Sequence, residues 1–224
     1  MDQELARKVQ EEVCATAKEM AASGLTAGTW GNISGRIDDT WMVITPSGMD
    51  YSKLTPDQMV IANMKTCEYL GDLRPSVELP IHARLLMHRP EVNGIVHTHS
   101  SKALAVAVTR KGIPPICDDQ VQLLGGDIRC AAFTYPGTPE MAESVTQARE
   151  GRLGALIANH GGITMGRTLK EALIGSVVLE KTAQIWIDVQ ALGRAVFISD
   201  EDCAYYHDFF MHKYGQRPKE GEGK

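Results

Sequence analysis

Pro90-Glu91-Val92-Asn93-Gly94-Ile95-Val96-His97-Thr98-His99-Ser100 is the stretch whose reading decides the fold. Residues 79–88 read as a helix, and Pro90 stops it because proline lacks an amide hydrogen and restricts the residue before it. The apolar run that follows reads as a strand over 95–99, and residues 101–110 read as another helix. Helix, strand and helix in so short a span place the chain among proteins that mix the two element types.

The same alternation extends outward. Toward the N-terminus, residues 2–23 carry Leu5, Val9, Val13 and Met20 near one helical face, with Gly24 to close the helix. The polar, glycine-rich segment 26–32 leads into two short runs, 33–37 and 41–45, joined by Asp38-Asp39, which together read as a hairpin. Thr45-Pro46-Ser47-Gly48 is a turn, Thr55-Pro56 reads as a cap and first helical position, and 59–65 as a strand. Toward the C-terminus, a helix is expected over 138–149, short strands at 155–158 and 163–165, and helices at about 169–191 and 200–213. Several connections are hairpin-like, so the expected class is α/β or α+β with an antiparallel or mixed sheet. Nothing reads as an interdomain linker, so residues 1–224 are expected to form one domain, with a helical tail at about 200–224.

Composition excludes several classes of function. Twenty-eight acidic against 23 basic residues give a net charge of −5 with no basic run, so neither nucleic acid nor an anionic membrane is an expected partner. No apolar run is long enough to span a bilayer, and the first residues do not read as a secretory signal. The five cysteines are odd in number and contain no Cys-x-x-Cys pair, which disfavours disulfide frameworks and thiolate zinc sites. A cytoplasmic location is the expectation.

Seven histidines remain, and two carry information: His97 and His99 are two apart on one strand, so their imidazoles project from the same face. Two neutral imidazoles side by side suit a divalent ion, whereas two imidazolium ions would repel. His160, just after a short apolar strand and before Gly161-Gly162, is a candidate third ligand. A fourth group could come from Glu78 or His82, which are four apart at the start of a predicted helix, and spacing does not choose between them. Three histidines with an exchangeable position form a catalytic rather than a structural zinc pattern, and a nearby carboxylate could act as general base. Gly31-Asn32, Ser47-Gly48 and Ser76 sit in turns ahead of these residues and could cradle a phosphate with neutral donors, although no Walker or dinucleotide motif is present.

Taken in order, GTWGNISGR (28–36), ITPSGMDYSKLTPDQMV (44–60), PSVELPIH (75–82), PEVNGIVHTHS (90–100), YPGTPEMA (135–142) and ANHGGITMG (158–166) resemble the class II aldolase family, which includes L-fuculose-1-phosphate aldolase and L-ribulose-5-phosphate 4-epimerase. The resemblance spans about residues 5–215. It implies a three-layer α/β fold with a central, mostly antiparallel or mixed sheet flanked by helices. It implies a zinc site at Glu78, His97, His99 and His160, with Mn²⁺, Fe²⁺ or Co²⁺ as other ions such donors accept. It places a phosphate pocket at Gly31, Asn32, Ser47, Gly48, Ser76 and Val77, with Val77 standing where the aldolase has a second serine. Glu78 would be the proton shuttle. Tyr214 matches an assisting tyrosine of the tail. Asp118 and Asp119 stand where the aldolase has a tyrosine and the epimerase an aspartate.

The implied protein is a homotetramer with active sites at its interfaces. The implied activity is cleavage of a ketose 1-phosphate of the fuculose, ribulose or 5-deoxyribulose type into dihydroxyacetone phosphate and an aldehyde, through a metal-stabilised enediolate. Epimerisation, decarboxylation and dehydration of sugar phosphates use the same chemistry and are the enzymatic alternatives. The related head domain of adducin makes a binding module the non-enzymatic alternative.

Overall fold

The computed structural model describes residues 1–216. The expected tail helix is found as α7 (Asp200–His212); the end of the tail at 217–224 lies outside the described residues. Seven strands form one sheet in the order β3-β2-β1-β4-β7-β6-β5, comprising β1 (Asn32–Arg36), β2 (Trp41–Ile44), β3 (Val60–Asn63), β4 (Gly94–Thr98), β5 (Cys130–Ala131), β6 (Gly154–Ile157) and β7 (Gly161–Gly166). Every pairing is antiparallel except β5 with β6. The fold is therefore the expected mixed, mostly antiparallel sheet flanked by helices.

Alternation along the strands makes two cores. On β4, Ile95 packs with α2 (Leu79–His88) and α5 (Pro139–Ala148), while its neighbour Val96 packs with α1 (Gln3–Ala22) and the start of α6 (Leu169–Leu192). A third cluster joins α3 (Ser101–Val108), α4 (Asp118–Leu124), β6 and the middle of α6. Each such buried Ile, Leu or Val contributes about 1.5–3 kcal/mol through removal of apolar surface from water. The helix ends follow their sequences: Asp2, Thr138, Thr168 and Ser199 accept backbone N–H groups at the starts of α1, α5, α6 and α7. In the β1–β2 hairpin, Asp38 Oδ1 accepts from the N–H groups of Thr40 and Trp41 at 2.8 Å each, which fixes the turn.

Three details differ from the sequence expectation. Thr55-Pro56 begins only a single 3-10 turn, Pro56–Gln58, closed by the Gln58 side chain accepting from the Thr55 N–H at 2.9 Å. Helix α4 and strand β5 were not expected. The first has seven residues, its start closed by the Gln120 side chain accepting from the Ile116 and Cys117 N–H groups at 3.1 and 3.3 Å, and the second has two residues held to β6.

The arrangement positions one end of the sheet. Strand β4 is central, flanked by β1 and β7, and the register sets Asn32 opposite His97 and His97 opposite Ile163. The β6–β7 turn carrying His160 comes to the same end, with Asn159 in the left-handed region at φ 57°. The 76–78 segment arrives there through a bridge between Pro46 and Pro75.

Candidate metal centre

His97, His99 and His160 converge. Their candidate ligand nitrogens all lie within 4.8 Å of one another, and the ring centroids are 4.7–4.9 Å apart. His97 Nε2 and His99 Nε2 are 3.1 Å apart. Two nitrogens bound to one tetrahedral zinc ion stand about 3.3 Å apart, given Zn–N bonds of about 2.0–2.1 Å. His97 Nδ1 lies 2.9 Å from the carbonyl of Gly162, so it donates there, which leaves Nε2 as the nitrogen that faces the centre. Burial, reinforced by the neighbouring imidazoles, lowers the pKa of His99 to about 3 and that of His160 to about 4. Both rings are therefore neutral, the form that binds metal.

Of Glu78 and His82, only Glu78 faces the three imidazoles. The Glu78 carboxylate is 3% exposed, with Oε2 3.2 Å from His97 Nε2 and Oε1 3.4 Å from His160 Nε2. Oε1 is buried without a hydrogen-bond partner, as a carboxylate oxygen set to share a cation would be. Burial would raise the Glu78 pKa, but His97, His160 and the Asn32 amide hold it below the usual carboxylate range. His82 is fully buried, and both its nitrogens are engaged elsewhere, 2.7 Å from Ser34 Oγ and 2.6 Å from Asn32 Oδ1. The donor set of three imidazoles and one carboxylate fits zinc, or another divalent first-row ion.

A cavity of ≈ 360 Å³ opens onto this group, with Glu78, His99 and His160 in its wall. All six residues expected to hold a phosphate, Gly31, Asn32, Ser47, Gly48, Ser76 and Val77, line it, and among the described residues no Lys or Arg does. Gly31 has φ 79°, and a Cβ there would stand 2.7 Å from the His97 carbonyl, so only glycine lets this turn lie against β4. Tyr51, 2% exposed, donates its hydroxyl to the Gly31 carbonyl, and burial pushes its pKa up to about 12. The N–H groups of Ser47 and Ser76 are occupied by the carbonyls of Arg74 (2.9 Å) and Thr45 (3.0 Å). Ser76 Oγ accepts from the Glu78 N–H at 3.3 Å, which leaves its own hydrogen for a ligand.

The other sequence candidates lie elsewhere in the single chain. Tyr214 is exposed, stacks on Phe210 and, with Asp119, lines a second cavity of ≈ 480 Å³ beside Arg167 and Glu171. Asp119 pairs with Lys181, and the Asp118 carboxylate accepts the Asp119 N–H at 2.7 Å. None of the three lines the histidine cavity. Sequence reasoning passed over Trp30 and Pro136, which do line it, and Ser34, which pairs behind it with His82, a residue weighed only as a metal ligand. Pro136 lies within a quoted segment, so position alone could have raised it. Ser34 and His82 carry no sequence signal of their pairing, because they are 48 residues apart.

Comparison with known proteins gives a consistent result. The family described as Class II Aldolase and Adducin N-terminal domain matches residues 11–187. A 5-deoxy-D-ribulose 1-phosphate aldolase of Bacillus thuringiensis is 32% identical over 95% of this chain and 100% of its own length. A 5-methylthioribulose-1-phosphate/5-deoxyribulose-1-phosphate aldolase of Escherichia coli is 36% identical over 87% and 90%. An L-fuculose phosphate aldolase of Escherichia coli is 34% identical over 95% and 98%. Among solved structures, an L-fuculose 1-phosphate aldolase superposes with a TM-score of 0.86 at 28% identity, covering 91% of this chain and 96% of the other.

Proposed function

The chain belongs to the class II aldolase and adducin family, and from that premise we propose that it is a metal-dependent aldehyde-lyase. It cleaves a ketose 1-phosphate, of the 5-deoxyribulose type ahead of the ribulose and fuculose types, into dihydroxyacetone phosphate and an aldehyde. The observation that carries this reading is the meeting of three imidazoles and the buried Glu78 carboxylate at the wall of a cavity lined by neutral donors. A purely structural or binding role gives no reason to bury a carboxylate oxygen without a hydrogen-bond partner.

His97, His99, His160 and Glu78 would hold the ion, Zn²⁺ first and Mn²⁺, Fe²⁺ or Co²⁺ as alternatives with the same donors. When bound, a divalent ion polarises a carbonyl oxygen and stabilises negative charge that develops on it. The rest follows from the chain itself. Asn32, Ser47 and Ser76 offer the phosphate N–H and O–H donors from the turns that line the cavity. A base takes the proton of the C4 hydroxyl, C4 becomes the aldehyde carbonyl, and the electron pair of the C3–C4 bond passes toward C2. Glu78, ionised at rest, takes up a proton from water in the cavity and then delivers it to C3, which completes dihydroxyacetone phosphate. Its burial beside the imidazoles places it to act there and keeps bulk water from competing.

Tyr214, Asp118 and Asp119 are the candidates for the group at the C4 oxygen. Because they stand outside the cavity of their own chain, we assign them to the site of a neighbouring copy in a homotetramer. Five unpaired cysteines support a reducing, cytoplasmic setting, and no helix among the described residues is long and apolar enough to cross a membrane.

The test is a product analysis. Zinc-loaded protein is incubated separately with 5-deoxyribulose 1-phosphate, fuculose 1-phosphate and L-ribulose 5-phosphate. Dihydroxyacetone phosphate from a 1-phosphate supports the aldolase. Xylulose 5-phosphate from the third, with no triose phosphate from the others, would make the protein an epimerase instead.

A further inference from the structure

Behind the cavity wall runs a buried chain of hydrogen bonds, of which the reaction described above uses only the two ends that reach the cavity, Asn32 and Glu78, and neither Ser34 nor His82. Ser34 Oγ lies 2.7 Å from His82 Nδ1, His82 Nε2 lies 2.6 Å from Asn32 Oδ1, and Asn32 Nδ2 lies 2.7 Å from Glu78 Oε2. All four residues are buried: Ser34 and His82 at 0%, Asn32 at 5% and Glu78 at 3% exposure.

The direction of every bond in this chain follows from its last member. An ionised carboxylate only accepts, so the Asn32 group facing Glu78 is the NH₂ and the one facing His82 is the carbonyl. His82 must therefore carry its hydrogen on Nε2. A buried imidazole that carries one hydrogen has a bare Nδ1, so the Ser34 hydroxyl donates to it. A reversed amide would set its carbonyl against the carboxylate and leave two acceptors in contact.

Asn32 also lines the cavity among the residues proposed to hold phosphate. Its NH₂ has two hydrogens, one spent on Glu78 Oε2 and a second for a ligand oxygen.

We propose that His82, backed by Ser34, is a positioning residue that fixes the polarity of the Asn32 amide, so that this one side chain donates both to the Glu78 carboxylate and to the substrate phosphate. The proposal rests on the aldolase reading for the identity of that ligand, but the amide's polarity does not. One consequence is that phosphate affinity and turnover are linked through His82, which touches neither the phosphate nor the reacting carbons. Glutamine at this position keeps an N–H donor near the place of Nε2, whereas leucine keeps bulk and removes the donor.

The experiment has two arms. In the first, ¹⁵N spectra of histidine-labelled wild-type protein report the hydrogen on each ring nitrogen of His82, assigned by its loss in His82→Gln. A bare Nδ1 with protonated Nε2 is expected; the opposite tautomer overturns the proposal, whatever the enzyme's activity. In the second, zinc-loaded wild type, His82→Leu and His82→Gln, checked by circular dichroism, are titrated with inorganic phosphate and assayed with the ketose 1-phosphate.

Loss of the buried His82–Asn32 hydrogen bond, which leaves the amide carbonyl unpaired and the amide's polarity unfixed, predicts about tenfold weaker phosphate binding and about tenfold lower kcat in the leucine variant, both largely restored by glutamine. A folded leucine variant with wild-type phosphate affinity and kcat overturns the proposal. So does a glutamine variant that is as impaired as leucine. Should the leucine variant fail to fold, the tautomer and the glutamine variant decide. If the wild type turns over no ketose phosphate, the functional reading fails and the tautomer arm alone judges the relay.

Discussion

Gly161→Ala tests how the three imidazoles are brought together. Gly161 follows His160 and pairs with Ile157 at the start of β7, and a Cβ built on it would stand 2.1 Å from the Thr98 carbonyl oxygen, between His97 and His99 in sequence. Real Cβ contacts essentially never fall below 3.0 Å, so the two backbones must separate by about 0.9 Å. Neither side is a flexible side-chain tip: one is the β4 backbone, and the other is the turn that holds His160. Forcing an extra methyl group into such a contact costs about 1–3 kcal/mol of stability. Metal sites tolerate ligand displacements of only about 0.2 Å, so zinc affinity should fall by about tenfold or more while the fold survives. Chelator-competition titration measures the affinity, and thermal unfolding of the apo-protein measures the stability. A variant with wild-type zinc affinity and an unchanged unfolding temperature would refute the claim that this backbone contact sets the spacing of the histidines.

Other consequences follow from the same structure. Tyr51→Phe removes the hydroxyl that holds the Gly31 carbonyl and should cost about 1–2 kcal/mol in urea unfolding, with a higher KM for a phosphorylated substrate. Arg36 donates to the carbonyls of Leu86, Arg89 and Val92, tying the end of α2 to the sheet, so Arg36→Ala should destabilise by about 3 kcal/mol with little change in kcat. Burial lowers the His82 pKa to about 3, against 6.5 for the free side chain. The unfolded chain then binds a proton that the folded chain refuses, so stability falls as pH drops below about 6.5 toward 3, by up to about 1.4 kcal/mol per pH unit from this group. In apo-protein, His82→Gln should flatten that dependence by up to one proton in pH-dependent denaturation, and an unchanged slope would contradict it.

Much of the fold was legible because its long elements carry their own signals. The α1 face with Val9, Val13 and Met20, the Pro90 stop after α2 and the Asp38 turn each act locally. Helix α4 was not legible: its buried Val121, Leu123 and Leu124 crowd one short stretch, and its N-cap is Cys117, not one of the Ser, Thr, Asp or Asn residues that mark a helix start. The histidine pair was legible because two residues of one strand end share a face. His160 comes from a turn about sixty residues on, and only the β4–β7 pairing brings it to the same end of the sheet.

Glu78 and His82 do share a side of their segment, since both reach Asn32. Their different roles depend on which one meets the imidazoles, a tertiary fact absent from their spacing. Tyr214, Asp118 and Asp119 entered through resemblance alone, and within one chain they lie away from the cavity.

The most direct measurement is a metal titration of activity. Apo-protein is loaded stepwise with zinc, and release of dihydroxyacetone phosphate from 5-deoxyribulose 1-phosphate is followed at each step. The account requires negligible release without metal, then a linear rise that breaks at one ion per chain and disappears in a His97→Ala variant. Full release from metal-free protein, or a break unaffected by loss of His97, would contradict it.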